Sequence, residues 1–204
     1  MAGHAHTAPG VAFWWLTLMW FGMMAAMMAP TVWPWIRAYH RFSATAGSST
    51  LLTAVPFAGG YFAAWLAYSI AAAFLQWLAA DRLALGTSIA GSTALIAAGA
   101  YQFTTLKASC LTHCRNPLTY FLARWRSGPG GGFAMGAHHG WFCVGCCWAL
   151  MATVLAVGVS SVWWMMALTV ATFAEQTVAG GDALRLPIGV ALMGGGLLSM
   201  SRLA

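Results

Sequence analysis

The sequence predicts an all-α, polytopic membrane protein with about six transmembrane helices, or about five, and a short interfacial helix that carries cysteines. Composition is the first observation: the 204 residues are 61% hydrophobic and 6% charged, against about 25% charged residues in soluble domains. So few polar side chains do not cover a water-facing surface. Length is the second, because several apolar runs reach the roughly 20 residues that cross a bilayer as a helix. The third is a missing pattern: a transmembrane barrel needs alternating segments of about ten residues, and none occurs.

Residues 1–10 read as a flexible N-terminal tail and residues 11–204 as a single helical membrane domain. The tail holds His4 and His6. A free amine at Ala2 with an imidazole at His4 would suit square-planar Cu(II), but a mobile tail with incidental histidines is the simpler reading. No basic region and cleavage site precede the first span, so no removed signal peptide is expected.

The first span covers residues 13–29 and is expected to stop at Pro30, with Pro34 close behind, because proline lacks the N–H that a helix needs. It carries Met19, Met23, Met24, Met27 and Met28, and the pairs 23/27 and 24/28 share a helical side. A loop over 31–50 holds Arg37, His40 and Arg41. The second span, 54–78, contains Gly59 and Gly60 for close helix packing. A turn at Asp81 and Arg82 leads to a third span, 88–106, rich in the small residues that let helices approach.

The connection over 107–135 begins KASCLTHCRNPL, which reads as a short helix ended at Asn116 by Pro117. Arg124 and Arg126 flank Trp125, and the glycine run from 128 to 132 is expected to be a flexible lead-in. The fourth span is 138–157. A tight connection over 158–161 returns into the fifth, 162–178, with Glu175 near its far end. A turn at 180–182 precedes the sixth, 184–202.

The net charge is +6, from nine Lys and Arg against three acids. With both termini outside, the inner loops hold Arg37, Arg41, Lys107, Arg115, Arg124, Arg126 and Arg185, and the outer segments hold Arg82 and Arg202. This bias predicts a periplasmic N-terminus and an inner face in contact with anionic lipid heads. No basic patch interleaved with aromatics stands apart from the spans, so nucleic acid is not an expected partner.

Chemistry concentrates in GAHHGWFCVGCCWALM, residues 136–151. His139, Cys143, Cys146 and Cys147 are related by helical steps, inside an arc of about 100°. His138 points the other way. Reactive groups in lipid are costly unless they serve a purpose. Upstream, Cys110 and Cys114 are four apart and share a face with His113 and Lys107. There Lys107 is expected to favour the thiolate, the form that ligates or attacks.

One helical face is too flat to surround an ion, so the upstream helix is the expected second wall, reached across the glycine hinge. The expected metal ligands are therefore Cys110, Cys114, His139, Cys143, Cys146 and Cys147. His113, His138, Met24, Met27 and Met28 are further candidates, with Lys107 and Glu175 supporting the ligands from behind. Soft donors with almost no hard oxygen select Cu(I), while zinc or an iron–sulfur cluster also fits thiolate with imidazole.

The runs AMMAP, GGYFAAWLAYS, YQFTTLKASCLTHCRNPL, RWRSG and MGAHHGWFCVGCCWALM resemble the uncharacterised bacterial family 2182 of domains of unknown function, described as predicted metal-binding integral membrane proteins. The matching pattern is C-x3-C, then H-G and C-x2-C-C, here Cys110, Cys114, His139-Gly140, Cys143, Cys146 and Cys147. The resemblance implies a bacterial inner-membrane metal site and no established activity. The family's acidic residue after the fifth span is usually followed by Lys. Here Glu175 is followed by Gln176, which argues against an ion-pair role.

The expected function is copper handling at the cytoplasmic membrane face, with a copper chaperone or a membrane metalloenzyme as partner. A membrane thiol–disulfide protein and an accessory subunit of a membrane complex are the alternatives, and the chain could equally be one subunit of an oligomer. The acids are scattered, no Ser/His/Asp set is suggested and no phosphate loop occurs, so no catalytic residues are expected.

Overall fold

The computed structural model describes residues 9–45, 54–79, 89–157 and 161–202, and these form helices with no strand among them. In chain order they are α1 (Pro9–Thr45), α2 (Val55–Ala79), α3 (Ile89–Tyr101), α4 (Thr105–Cys114), α5 (Pro117–Arg124), α6 (Gly128–Val157), α7 (Val162–Thr177) and α8 (Arg185–Ser201). The tail residues 1–8, the turn expected at Asp81 and Arg82 and the connection over 158–160 lie outside the described residues.

Among the described residues three helices are long and apolar enough to cross a membrane: Phe13–Ala44, Val55–Leu78 and Gly181–Ser201. Their outward faces expose Trp14, Leu18, Phe74, Leu75, Val190 and Leu197, an apolar surface that a soluble monomer rarely tolerates. The other expected spans differ from that pattern. α3 and α7 have 13 and 16 residues, short of the roughly 20 that span a bilayer. α6 has 30 residues, long enough at about 1.5 Å per residue, but its first turns are glycine and histidine.

Two expectations about helix ends are corrected. α1 does not stop at Pro30: it runs through Pro30 and Pro34 to Thr45. Proline removes an N–H without removing the helix when neighbouring helices hold the segment in place. The glycine run is not a hinge either, because α6 begins at Gly128 and residues 128–132 are helical. Gly128, at φ +80°, supplies the left-handed turn that starts the helix. Gly132 is there for size, since a Cβ would lie 2.7 Å from Tyr39 Oη.

α6 is the central element, packed against α2, α3, α4 and α7. Its seam with α2 is backbone on backbone. A Cβ on Gly60 would collide with the main chain of Phe133, and one on Gly136 with that of Phe57. A Cβ on Gly140 would stand 2.9 Å from the Tyr61 carbonyl oxygen. Small residues make such approach possible where no hydrophobic drive separates helix from lipid. The consequence for the site is registration, because the seam sets α2 one side chain away from the cysteine face of α6.

α3 and α8 pair through Gly99, Gly189 and Gly196, each facing a neighbouring backbone or side chain at short range. α4 packs against α6, and α5 packs against α1. There Trp35 of α1 packs against Tyr120 and Phe121, with ring centroids 5.5 and 5.6 Å away.

Candidate metal centre

α6 presents Cys143, Cys146 and Cys147 on one face by helical spacing, and α4 brings Cys114 to meet them. The ligand atoms of Cys114, Cys143 and Cys146 all lie within 4.8 Å of one another. Cys114 Sγ is 3.8 Å from Cys146 Sγ, and Cys146 Sγ is 3.2 Å from Cys147 Sγ. A disulfide needs about 2.05 Å, and all five cysteines are free. A soft ion at about 2.3 Å from each sulfur sets tetrahedral sulfurs about 3.8 Å apart. The spacing of Cys114, Cys143 and Cys146 is close to that, so these three thiols form a group that little motion would close on an ion, with Cys147 against Cys146 at its edge. All four are buried.

The fifth candidate ligand is His139, one turn before Cys143. Its ring is 1% exposed and stacks on Trp35 with centroids 3.6 Å apart and planes 17° apart. Neither ring nitrogen has a hydrogen-bond partner. A buried polar atom without a partner costs about 1–3 kcal/mol. Two on one ring, held flat by stacking beside a thiol cluster, mark a donor kept for something other than protein.

Three residues complete the cage. Tyr61 Oη of α2 lies 3.1 Å from Cys143 Sγ. Gln176 of α7 aims its side-chain amide at three sulfurs, with Nε2 3.2 Å from Cys147 Sγ and 3.7 Å from both Cys143 and Cys146 Sγ. Trp35 Nε1 donates to the Cys114 carbonyl oxygen at 3.0 Å, which ties α4 to α1. The amide is a donor facing sulfur, the Tyr61 hydroxyl can act as one, and donors stabilise the thiolate over the thiol. The expected clamp of two helices is therefore a chamber with walls from α1, α2, α4, α6 and α7.

Lys107 behaves otherwise than expected. Its Nζ is 2.7 Å from Glu175 Oε2, and the two side chains are 0% and 1% exposed. The absence of a Lys after Glu175 did not remove the ion pair; α4 supplies the cation instead. Lys107 is thus committed to Glu175, and burial pushes the Cys110 thiol up from its ordinary pKa. Cys110 stands apart from the three-sulfur group, with its Sγ packed where a Cβ on Gly145 would be.

The Lys107–Glu175 pair does position the cage. With Arg115, which donates from Nη1 to the Glu175 carbonyl and from Nη2 to that of Val178 at 2.8 Å, it fastens α7 to α4. That places the next residue, Gln176, over the thiols.

The remaining candidates are spread around this centre. Met24, Met27 and Met28 are buried on α1. Thr31 links Met28 to the cage, its Oγ1 being 3.9 Å from Met28 Sδ and 3.3 Å from Tyr61 Oη. His113 and His138 lie beside the chamber next to Phe142, whose ring is 4.0 and 5.0 Å from theirs, and the His113 ring is 5.9 Å from that of Trp35. Burial, with His138 and Arg124 nearby, lowers the His113 pKa to about 4. Tyr101 donates to the Gly145 carbonyl, and Gln102 is buried with both amide atoms unpartnered.

The donor set can therefore be weighed against known proteins. A family model described as PpoB2, copper chaperone, matches residues 17–199. The chain belongs to the PpoB2 copper chaperone family. The match takes in every wall of the chamber, from Trp35 to Gln176. No curated protein and no solved structure matches the chain. Thiols and imidazole without hard oxygen are the soft donors that copper in its lower oxidation state prefers.

Trp35, Tyr61 and Gln176 were not among the residues expected from sequence. Gln176 carried a signal, being an amide beside an acid at a span end. Trp35 and Tyr61 carried none, because a tryptophan or tyrosine near a membrane boundary is ordinary.

Proposed function

We propose that the chain is a multi-pass chaperone of the bacterial inner membrane that holds Cu(I) between Cys114, Cys143, Cys146 and Cys147, with His139 as the nitrogen donor. The observation that carries this reading is the meeting of the α4 sulfur of Cys114 with the α6 sulfur of Cys146 at 3.8 Å in a buried chamber. Family membership supports copper over zinc or an iron–sulfur cluster.

Four thiolates around a monovalent ion would leave a large uncompensated charge in a low-dielectric chamber. In this reading one or two thiols ionise on binding and release protons, while Gln176 and Tyr61 stabilise the resulting charge. Cys110 is a reserve ligand one turn back, and Met24, Met27 and Met28 pack the wall. Lys107 and Glu175 hold α7 in register. The basic residues Arg37 and Arg41 near the end of α1, with Arg115, Arg124 and Arg126, support a cytoplasmic cage with the N-terminus in the periplasm. The quoted motifs support kinship with family 2182 of domains of unknown function. A membrane metalloenzyme that needs copper is the partner this function calls for.

The test is metal analysis of the full chain purified without oxygen and loaded with Cu(I). About one copper per chain in sulfur coordination is expected, lost when Cys143, Cys146 and Cys147 become Ser. A correctly inserted chain that takes up no copper overturns the reading. Reversible disulfide formation among copper-free thiols would instead favour a thiol–disulfide protein.

A further inference from the structure

Beside the chamber, His113 and His138 sit together with ring centroids 5.5 Å apart. Both line a surface cavity of 520 Å³ together with Asn116, Tyr120, Arg124 and Phe142. His113 Nε2 and His138 Nδ1 are buried and have no partner. An ion about 2.0 Å from one nitrogen of each ring would allow centroids up to about 6 Å apart, so the two imidazoles can share one ion. The His113 ring lies 6.0 Å from His139, at 27°. A chain of imidazoles thus runs from the surface to the thiol chamber.

Arg124 decides when this pair is competent. Its Nη1 is 3.2 Å from His138 Nε2. A guanidinium only donates, so Nε2 accepts, and the neutral ring carries its proton on the other nitrogen. The lone pair that would bind a metal is the one Arg124 covers. Arg124 is exposed and, with Arg126, also lines a second cavity of 450 Å³ that reaches His138. An anion arriving there finds two guanidinium groups beside one imidazole.

We propose that His113 and His138 form a surface loading station for Cu(I), that Arg124 is its latch, and that the copper donor is anionic. This inference rests on the copper-holding reading of the chamber. The donor's carboxylates draw Arg124 away, His138 Nε2 and His113 Nε2 take the ion, and His139 passes it to the cysteines. Each step is ligand exchange at constant oxidation state. A Cu–N bond forms as the donor's Cu–S bond breaks, and the freed thiolate takes a proton from water. In the chamber a Cu–S bond forms as the Cu–N bonds to the station break, and the proton released by the cysteine thiol goes to the hydroxide left when water protonated the donor's thiolate.

The experiment follows the copper–thiolate absorption of the anaerobic full chain after mixing with Cu(I), supplied either as the anionic glutathione complex or as the cationic acetonitrile complex. His113→Phe and His138→Phe keep the ring packing and remove the ligands. Each is expected to slow loading from both donors about tenfold, the size typical of metal-supporting groups, with the final copper content unchanged. Arg124→Gln is expected to slow loading from the anionic donor and speed it from the cationic one. Unchanged rates in both histidine variants overturn the station. If either variant does not fold, the surface substitution Arg124→Gln decides, and equal rates from both donors overturn the latch.

If the wild-type chain shows no copper–thiolate band, the chamber reading fails. X-ray absorption then judges the station: copper bound by nitrogen alone and lost in His113→Phe supports it. Any other coordination, or no copper at all, overturns it.

Discussion

Gln176→Leu isolates what the amide over the sulfurs contributes. In the structure Nε2 is 3.2 Å from Cys147 Sγ and 3.7 Å from two further sulfurs, yet an amide has only two N–H bonds to give. The shortest contact is the effective one, and it becomes charge-assisted when copper binding makes the sulfur a thiolate. Hydrogen bonds to charged groups contribute about 1.5–3 kcal/mol. At about 1.4 kcal/mol per decade, removal weakens Cu(I) binding roughly 10- to 100-fold. Leu is close to Gln in volume, so the wall stays filled and α7 stays docked through Glu175. The assay is anaerobic competition with a chromophoric Cu(I) chelator, paired with thermal unfolding of the copper-free chain. Unchanged copper affinity in a folded Gln176→Leu protein would refute the role assigned to the amide.

Two other substitutions test the frame. Lys107→Met leaves Glu175 buried without its cation, a change that costs about 3–5 kcal/mol. The thermal midpoint should fall sharply, and Lys107→Met combined with Glu175→Met should recover most of it. Gly136→Ala drives a methyl into the Phe57 main chain and is expected to cost about 1–3 kcal/mol and to lower copper retention. Gly59→Ala, whose added Cβ meets only the Phe133 ring at 4.0 Å, should be neutral in the same unfolding and copper measurements.

Helical phasing made much of the centre legible. Cys143, Cys146, Cys147 and His139 share a face because the spacing of an α-helix requires it, and the need for a second wall points to the helix of Cys110 and Cys114, of which Cys114 joins the sulfur group and Cys110 does not. The helices themselves were legible from apolar runs, but their ends were not. Pro30 reads as a stop because local sterics favour one, and packing around α1 overrides them. The glycines after Gly128 read as flexible, because a glycine chosen for small size looks the same in sequence as one chosen for freedom. The contacts of Gln176 and Lys107 are not legible because their partners are distant along the chain. The Lys107–Glu175 pair spans 68 positions and Tyr61–Cys143 spans 82, beyond the reach of any periodicity.

The glycine seam between α2 and α6 also bears on how cargo would leave in the copper-holding reading. Main chains in close contact at Gly60, Gly136 and Gly140 hold those two helices tightly together along the seam. α7 is different: its grip on α4 is a polar clasp of Lys107, Arg115 and Glu175. In the copper-holding reading opening then falls to α7, which also packs against α1 and α6, and undoing the Lys107–Arg115–Glu175 clasp becomes one step in the release of a bound ion. A receiving protein would, in that reading, gain by lengthening the moments when the clasp is undone.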